Sequence, residues 1–134
     1  MTELLLFLIE HLAFLYAPDR YRFVDSRTSE GFGDAYLVLE SDALRVRLVR
    51  DRSQLFMDVQ SAGQHGDRDW YSIDIVRQLV TGERQTTAEL SPDYAQFLER
   101  HLDEIERRFS DEELPATVSA LKALQDERAK ELFG

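Results

Sequence analysis

A chain of 134 residues with 43% apolar content is long enough to enclose one core and too short for two comfortable ones. It holds no cysteine, which excludes a disulfide framework, a thiolate metal site and a cysteine nucleophile. Formal net charge is −10, with 8 basic and 11 acidic residues over 1–68 and 8 basic and 15 acidic over 69–134, a field that opposes nucleic acid and anionic membrane and serves either solubility or a basic partner.

The apolar run at residues 4–9 lacks a positively charged flank, meets Glu10 and His11, and is far shorter than the roughly 20 residues needed to span a bilayer. It reads as part of a helix over residues 3–16 that ends before Pro18. Apolar side chains run nearly all round that helix, so burial on more than one side is expected. The expected compartment is the cytoplasm.

A strand follows at 20–27, with Tyr21 and Phe23 on one face. A connection at 28–34 contains Gly31-Phe32-Gly33, which lacks a downstream Lys-Ser/Thr and is flanked by Glu30 and Asp34, so it is read as a strand connection and not a phosphate loop. Three more strands occupy 35–40, 43–50 and 53–60. Two-residue turns at Ser41-Asp42 and Asp51-Arg52 put Ala35, Leu37, Leu39, Leu44, Val46, Leu48, Leu55, Met57 and Val59 on one face. The other face receives Tyr36, Val38, Arg45, Arg47, Phe56 and Asp58. In that register Arg45 is opposite Asp58, and Arg47 lies between Tyr36 and Phe56. Tyr36, Arg47 and Phe56 form a candidate binding centre, because such types are enriched at interface hot spots. The alternative is that a C-terminal helix lies across this face.

Residues 61–69 form a loop with Gly63, Gly66 and His65. Trp70-Tyr71 leads into a helix over 72–81 closed by Gly82, with the two aromatics read as core anchors at the helix entrance. Ser91-Pro92-Asp93 starts the next helix, to 109, with Ser91 as N-cap and Pro92 first. Its apolar stripe is Tyr94, Leu98, Leu102, Ile105 and Phe109. The far side carries Glu99, Asp103 and Glu106, and Asp111, Glu112 and Glu113 extend this acidic surface. Together these six acids are a candidate surface for a basic partner, partly neutralised by i,i+4 pairs Asp103–Arg107 and Glu104–Arg108. Pro115 opens a last helix, to 132. His11 and His101 are read as buried or boundary residues, and no histidine spacing matches a metal site.

Consecutive strands followed by helices point to a single α+β domain: an N-terminal helix, a four-stranded antiparallel meander, then three C-terminal helices packed on the sheet. The run Val49-Arg50-Asp51-Arg52-Ser53-Gln54-Leu55-Phe56-Met57-Asp58, followed by Trp70-Tyr71-Ser72-Ile73-Asp74, resembles a pattern in small uncharacterised bacterial proteins of the immunity type, encoded with polymorphic or contact-dependent toxins. The resemblance implies a cytosolic, non-enzymatic protein that occludes a partner toxin. No catalytic constellation and no cofactor are expected, and the expected partner is a protein, in concrete form a basic toxin domain. The alternative is a small-ligand or regulatory domain with a pocket between sheet and helices.

Overall fold

The computed structural model describes residues 1–28, 34–64 and 66–133. An antiparallel sheet runs in the order β1-β2-β3-β4-β5. Its strands are β1 (Arg22–Thr28), β2 (Ala35–Glu40), β3 (Leu44–Asp51), β4 (Gln54–Ser61) and the two-residue β5 (Tyr71–Ser72). The helices are α1 (Thr2–His11), α2 (Ala13–Tyr16), α3 (Ile73–Thr81), α4 (Pro92–Arg108) and α5 (Leu114–Phe133). The α+β class and antiparallel sheet agree with the sequence reading, which missed the short fifth strand and the break between α1 and α2 and placed all three C-terminal helices on the sheet, where α5 instead packs chiefly on α3.

Strand parity sorts the side chains as expected. Leu39, Leu44, Val46, Leu48, Met57 and Val59 are fully enclosed, each contributing about 1.5–3 kcal/mol by leaving water. Leu4, Leu8, Leu12 and Leu15 meet them from α1, α2 and the break between them, and Tyr94, Leu98, Leu102, Ile105 and Phe109 from α4 and its C-cap. The space between sheet and helices, where a ligand pocket was the alternative expectation, is packed with these side chains.

The register differs from the expected one by two residues in both hairpins. Arg47 pairs with Asp58, Arg45 with Gln60, Val46 with Val59, Leu48 with Met57 and Val49 with Phe56. Across β2, Tyr36 pairs with Val49 and Val38 with Arg47. The turns sit one residue later than expected. The Ser41 hydroxyl accepts from the amides of Ala43 (3.2 Å) and Leu44 (3.1 Å), which keeps Ser41 ahead of its turn. Asp51 pairs with Gln54, leaving Arg52 (φ 51°) and Ser53 (φ 73°) as the central pair. Moving a turn by one residue moves every partner by two, so the faces survive.

Other boundaries shift for local reasons. The first helix breaks at Leu12 (φ −120°, ψ 18°). Contrary to expectation α1 buries one side only: Leu4 and Leu8 are enclosed, while Leu5, Leu6 and Ile9 are exposed. Tyr21 precedes its strand and is buried, whereas Phe23 is exposed, so the two do not share an environment. Ser91 occupies the N-cap position of α4, but its side chain makes no capping hydrogen bond. Gly82 closes α3 at φ +77°, its amide donating to Gln78 O at 2.8 Å. α5 packs chiefly on α3, where Arg128 donates to Asp74 Oδ2 at 2.6 Å and to Gln78 Oε1 at 2.7 Å. Gly31-Phe32-Gly33, Glu30 and His65 lie outside the described residues.

Candidate functional site

All the helix packing against the sheet falls on the Leu39–Val46–Met57 side, so the expected alternative of a helix across the second face is not what the fold adopts. That second face is laid out in rows by the register. Tyr36, Val49 and Phe56 form one row, Val38, Arg47, Asp58 and Ser72 the next, and Glu40, Arg45 and Gln60 the third. Tyr36, Arg47 and Phe56 therefore do share a face, but Arg47 stands diagonal to the two aromatics, not between them.

The rows grade from apolar to ionic. Arg47 Nε and Nη2 both donate to Asp58 Oδ2, at 3.2 and 2.8 Å. Arg45 Nη1 donates to Gln60 Oε1 at 2.5 Å, and its Nε lies 3.1 Å from Glu40 Oε1, too far off axis to make a hydrogen bond. Gln60 is completely enclosed, and its amide also donates to Gly66 O at 3.3 Å, which ties the 62–69 connection down at one end of the face. That connection ends in a 3-10 turn at Asp67–Asp69.

Trp70 and Tyr71 then part company. Alternation along β5 sends Tyr71 into the core, where its ring centre is 6.3 Å from that of Phe109. Trp70 goes to the opposite side, over Arg47 at 4.4 Å and Arg45 at 5.5 Å from ring centre to guanidinium carbon. Reading both aromatics as core anchors holds for Tyr71 alone. Consecutive positions entering a strand point to opposite faces, and that was the signal for Trp70.

Trp70 and the arginines wall a cleft of about 300 Å³ that also touches Arg27, Tyr36, Asp25 and Asp67. Tyr36 donates to Asp25 Oδ2 at 3.1 Å, and this hydrogen bond holds the phenol above its usual pKa, with burial and the Asp25 charge adding. Arg27 has no ion pair among the described residues. The arrangement offers planar cations and aromatic rings to a polar surface, a pattern suited to recognition.

The six candidate acids do not form one free surface. Glu99 and Asp103 are exposed on α4, and Asp111 and Glu112 are exposed in the turn before α5. Glu106 is only 13% exposed, held by Arg20, whose Nη2 is also 3.7 Å from Asp103. Glu113 pairs with Arg107 at 3.2 Å. The expected Asp103–Arg107 pair is thus replaced by these two contacts, while Glu104–Arg108 forms at 2.9 Å. His101 breaks helical geometry within α4 (φ −111°) and stays half-buried beside Phe97. His11 is half-buried beside Phe7. Among the described residues no group of His, Cys, Asp or Glu is arranged to hold a metal ion, and no helix is long and apolar enough to cross a membrane.

Comparison of the chain with protein-family models, curated proteins and solved structures finds no match.

Proposed function

We propose that the protein is a non-enzymatic binding module that engages a protein partner across the open face of its sheet, and that its concrete form is an immunity-type inhibitor occluding a basic toxin domain in the cytoplasm. One observation carries this reading: every helix packed on the sheet lies on one side, leaving Tyr36, Arg47, Phe56 and Trp70 together on the other. Large planar side chains held in place by ion pairs lose little entropy on binding, which suits them as anchors. The exposed acids Glu99, Asp103, Asp111 and Glu112, within a chain of net charge −10, supply steering toward a basic partner. The resemblance of residues 49–58 and 70–74 to immunity-type proteins supports the inhibitor form.

The test is affinity capture from the native host, with the wild-type chain and a Tyr36→Ala/Trp70→Ala variant as paired baits. A basic protein enriched by the wild type and lost from the variant is the expected result. Equal enrichment on both baits would remove the open face from the function. Co-expression of the captured protein then checks the inhibitor form, with growth arrest expected for that protein alone and relief when this chain is present.

A further inference from the structure

The other unpartnered surface lies at the β1 edge of the sheet. All seven residues of β1 are exposed, and among the described residues its outer side has no neighbouring strand. Beside it, α1 turns an apolar side outward. Leu5, Leu6 and Ile9 are 42, 52 and 63% exposed, and Phe23 and Val24 on β1 are 52 and 40% exposed. A groove between them is lined by Leu5, Phe23, Val24 and Leu37. Isolated exposed leucines need no explanation, but Leu5, Phe23 and Val24 exposed along one groove at an open strand edge, with Ile9 one turn further on α1, do.

We infer that this edge is a self-association surface, and that its occupant is a second copy of this chain, paired antiparallel through β1 about a two-fold axis at Ser26. Charge selects both occupant and register. Asp25 and Arg27 flank Ser26 on the same side of the sheet, since they pair with Val38 and Tyr36. Asp25 accepts only from Tyr36 Oη and the Ser26 amide, and neither Asp25 nor Arg27 has an ion pair among the described residues. A two-fold at Ser26 sets Asp25 of each copy opposite Arg27 of the other, so two ion pairs form from one sequence. It also sets Val24 opposite Thr28, which leaves the bulge between Phe23 and Asp25 at the ladder ends. With two arginines against one aspartate, β1 is a flank where two copies of a −10 chain approach without local repulsion.

The axis stands perpendicular to the sheet, so the helices of both copies lie on one side. Leu5 and Ile9, one turn apart on the side of α1 next to the groove, then flank the seam, while Leu6, opposite Leu4 and Leu8 on the helix, stays in solvent.

Sedimentation equilibrium of the full chain tests this. A dimer at twice the 15.6 kDa chain mass is expected at micromolar concentration. Ile9→Asp should weaken it by about 100-fold or more, because symmetry counts each substitution twice. Asp25→Arg alone and Arg27→Asp alone each place like charges in register and should yield monomers. An equimolar mixture of those two variants should dimerise, as should the double variant Asp25→Arg/Arg27→Asp. Circular dichroism of each variant separates lost pairing from lost folding, and the mixture and double variant recover only if the axis is at Ser26. A wild-type monomer at high micromolar concentration would overturn the inference. So would a dimer indifferent to both charge variants, or a monomer that floats with phosphatidylcholine vesicles, which would assign the patch to lipid.

Discussion

The Arg47 guanidinium lies 4.4 Å from the centre of the Trp70 ring while two of its nitrogens donate to the same oxygen of Asp58. One side chain thus joins β3 to β4 and to the entrance of α3. Replacing it with lysine keeps the charge but loses the planar fork and the stacked surface. Arg47→Lys should cost about 1 kcal/mol of stability, and Arg47→Ala about 2–3 kcal/mol because Asp58 loses its cation in a half-buried site. Urea denaturation checks both. Trp70 is the single tryptophan, so a partner bound to the open face should shift its emission.

Glu106 and Glu99 carry the same charge on one helix and should behave differently. Glu106 is enclosed by Arg20 and ties α4 to the segment before β1, while Glu99 is exposed. Glu106→Gln should lower stability by about 1 kcal/mol. Glu99→Lys with Asp103→Lys should leave stability within about 0.5 kcal/mol and slow association with a basic partner, an effect that fades as salt rises. Thermal melts and stopped-flow association at two salt concentrations separate the two behaviours.

Arg52 and Ser53 hold φ angles of 51° and 73° in the β3–β4 turn, a backbone that favours Asn-Gly. Arg52→Asn/Ser53→Gly should stabilise the fold by roughly 1 kcal/mol by relieving the left-handed cost at both positions. A raised melting temperature with unchanged circular dichroism is the expected outcome. A fall would mean that the Arg52 or Ser53 side chain makes a stabilising contact.

Alkaline pH should unfold the protein through its tyrosines. Burial raises the Tyr21 phenol far above its usual 10.0, with Glu106 adding and Ser41 and Arg20 opposing. Burial likewise raises Tyr71 and Tyr94, and the hydrogen bond to Asp25 raises Tyr36. Below pH 10.0 native and unfolded chains keep these protons and stability is flat in this respect. Above it the unfolded chain releases them first, the native state binds more protons, and stability falls as pH rises. For Tyr21 the slope approaches about 1.4 kcal/mol per pH unit. Denaturation midpoints across this range should decline steeply for the wild type and less so for Tyr21→Phe.

The core face of the sheet, the α4 stripe and the Gly82 stop were legible because each rests on a period or a residue with one strong local preference. Register was not. A turn built from Arg52 and Ser53 carries no glycine or asparagine to mark it, and Ser41 resembles a turn residue while serving as the strand end that braces the turn. Trp70 escaped because a two-residue strand offers no run over which alternation can be counted. For α1, leucine on every side tells how apolar the helix is but not which side a neighbour covers. The acids of α4 were legible as charges, and Arg20 arrives from over 80 positions earlier to take Glu106 out of the surface.

The two margins of the sheet are built differently. At β4, Ser72 and Tyr71 cover Asp58 and Val59, and further along the Leu90 amide donates to Leu55 O at 2.7 Å. Among the described residues, β1 is the edge strand whose outer side has no such cover along its length. A sheet that can extend on one side adds a single neighbour and then has no free end from which to grow, so strand addition stops at a closed pair and does not propagate into fibrils. The short β5 and the Leu90 contact thus act as a stop against runaway polymerisation, and this lets the chain keep one open edge.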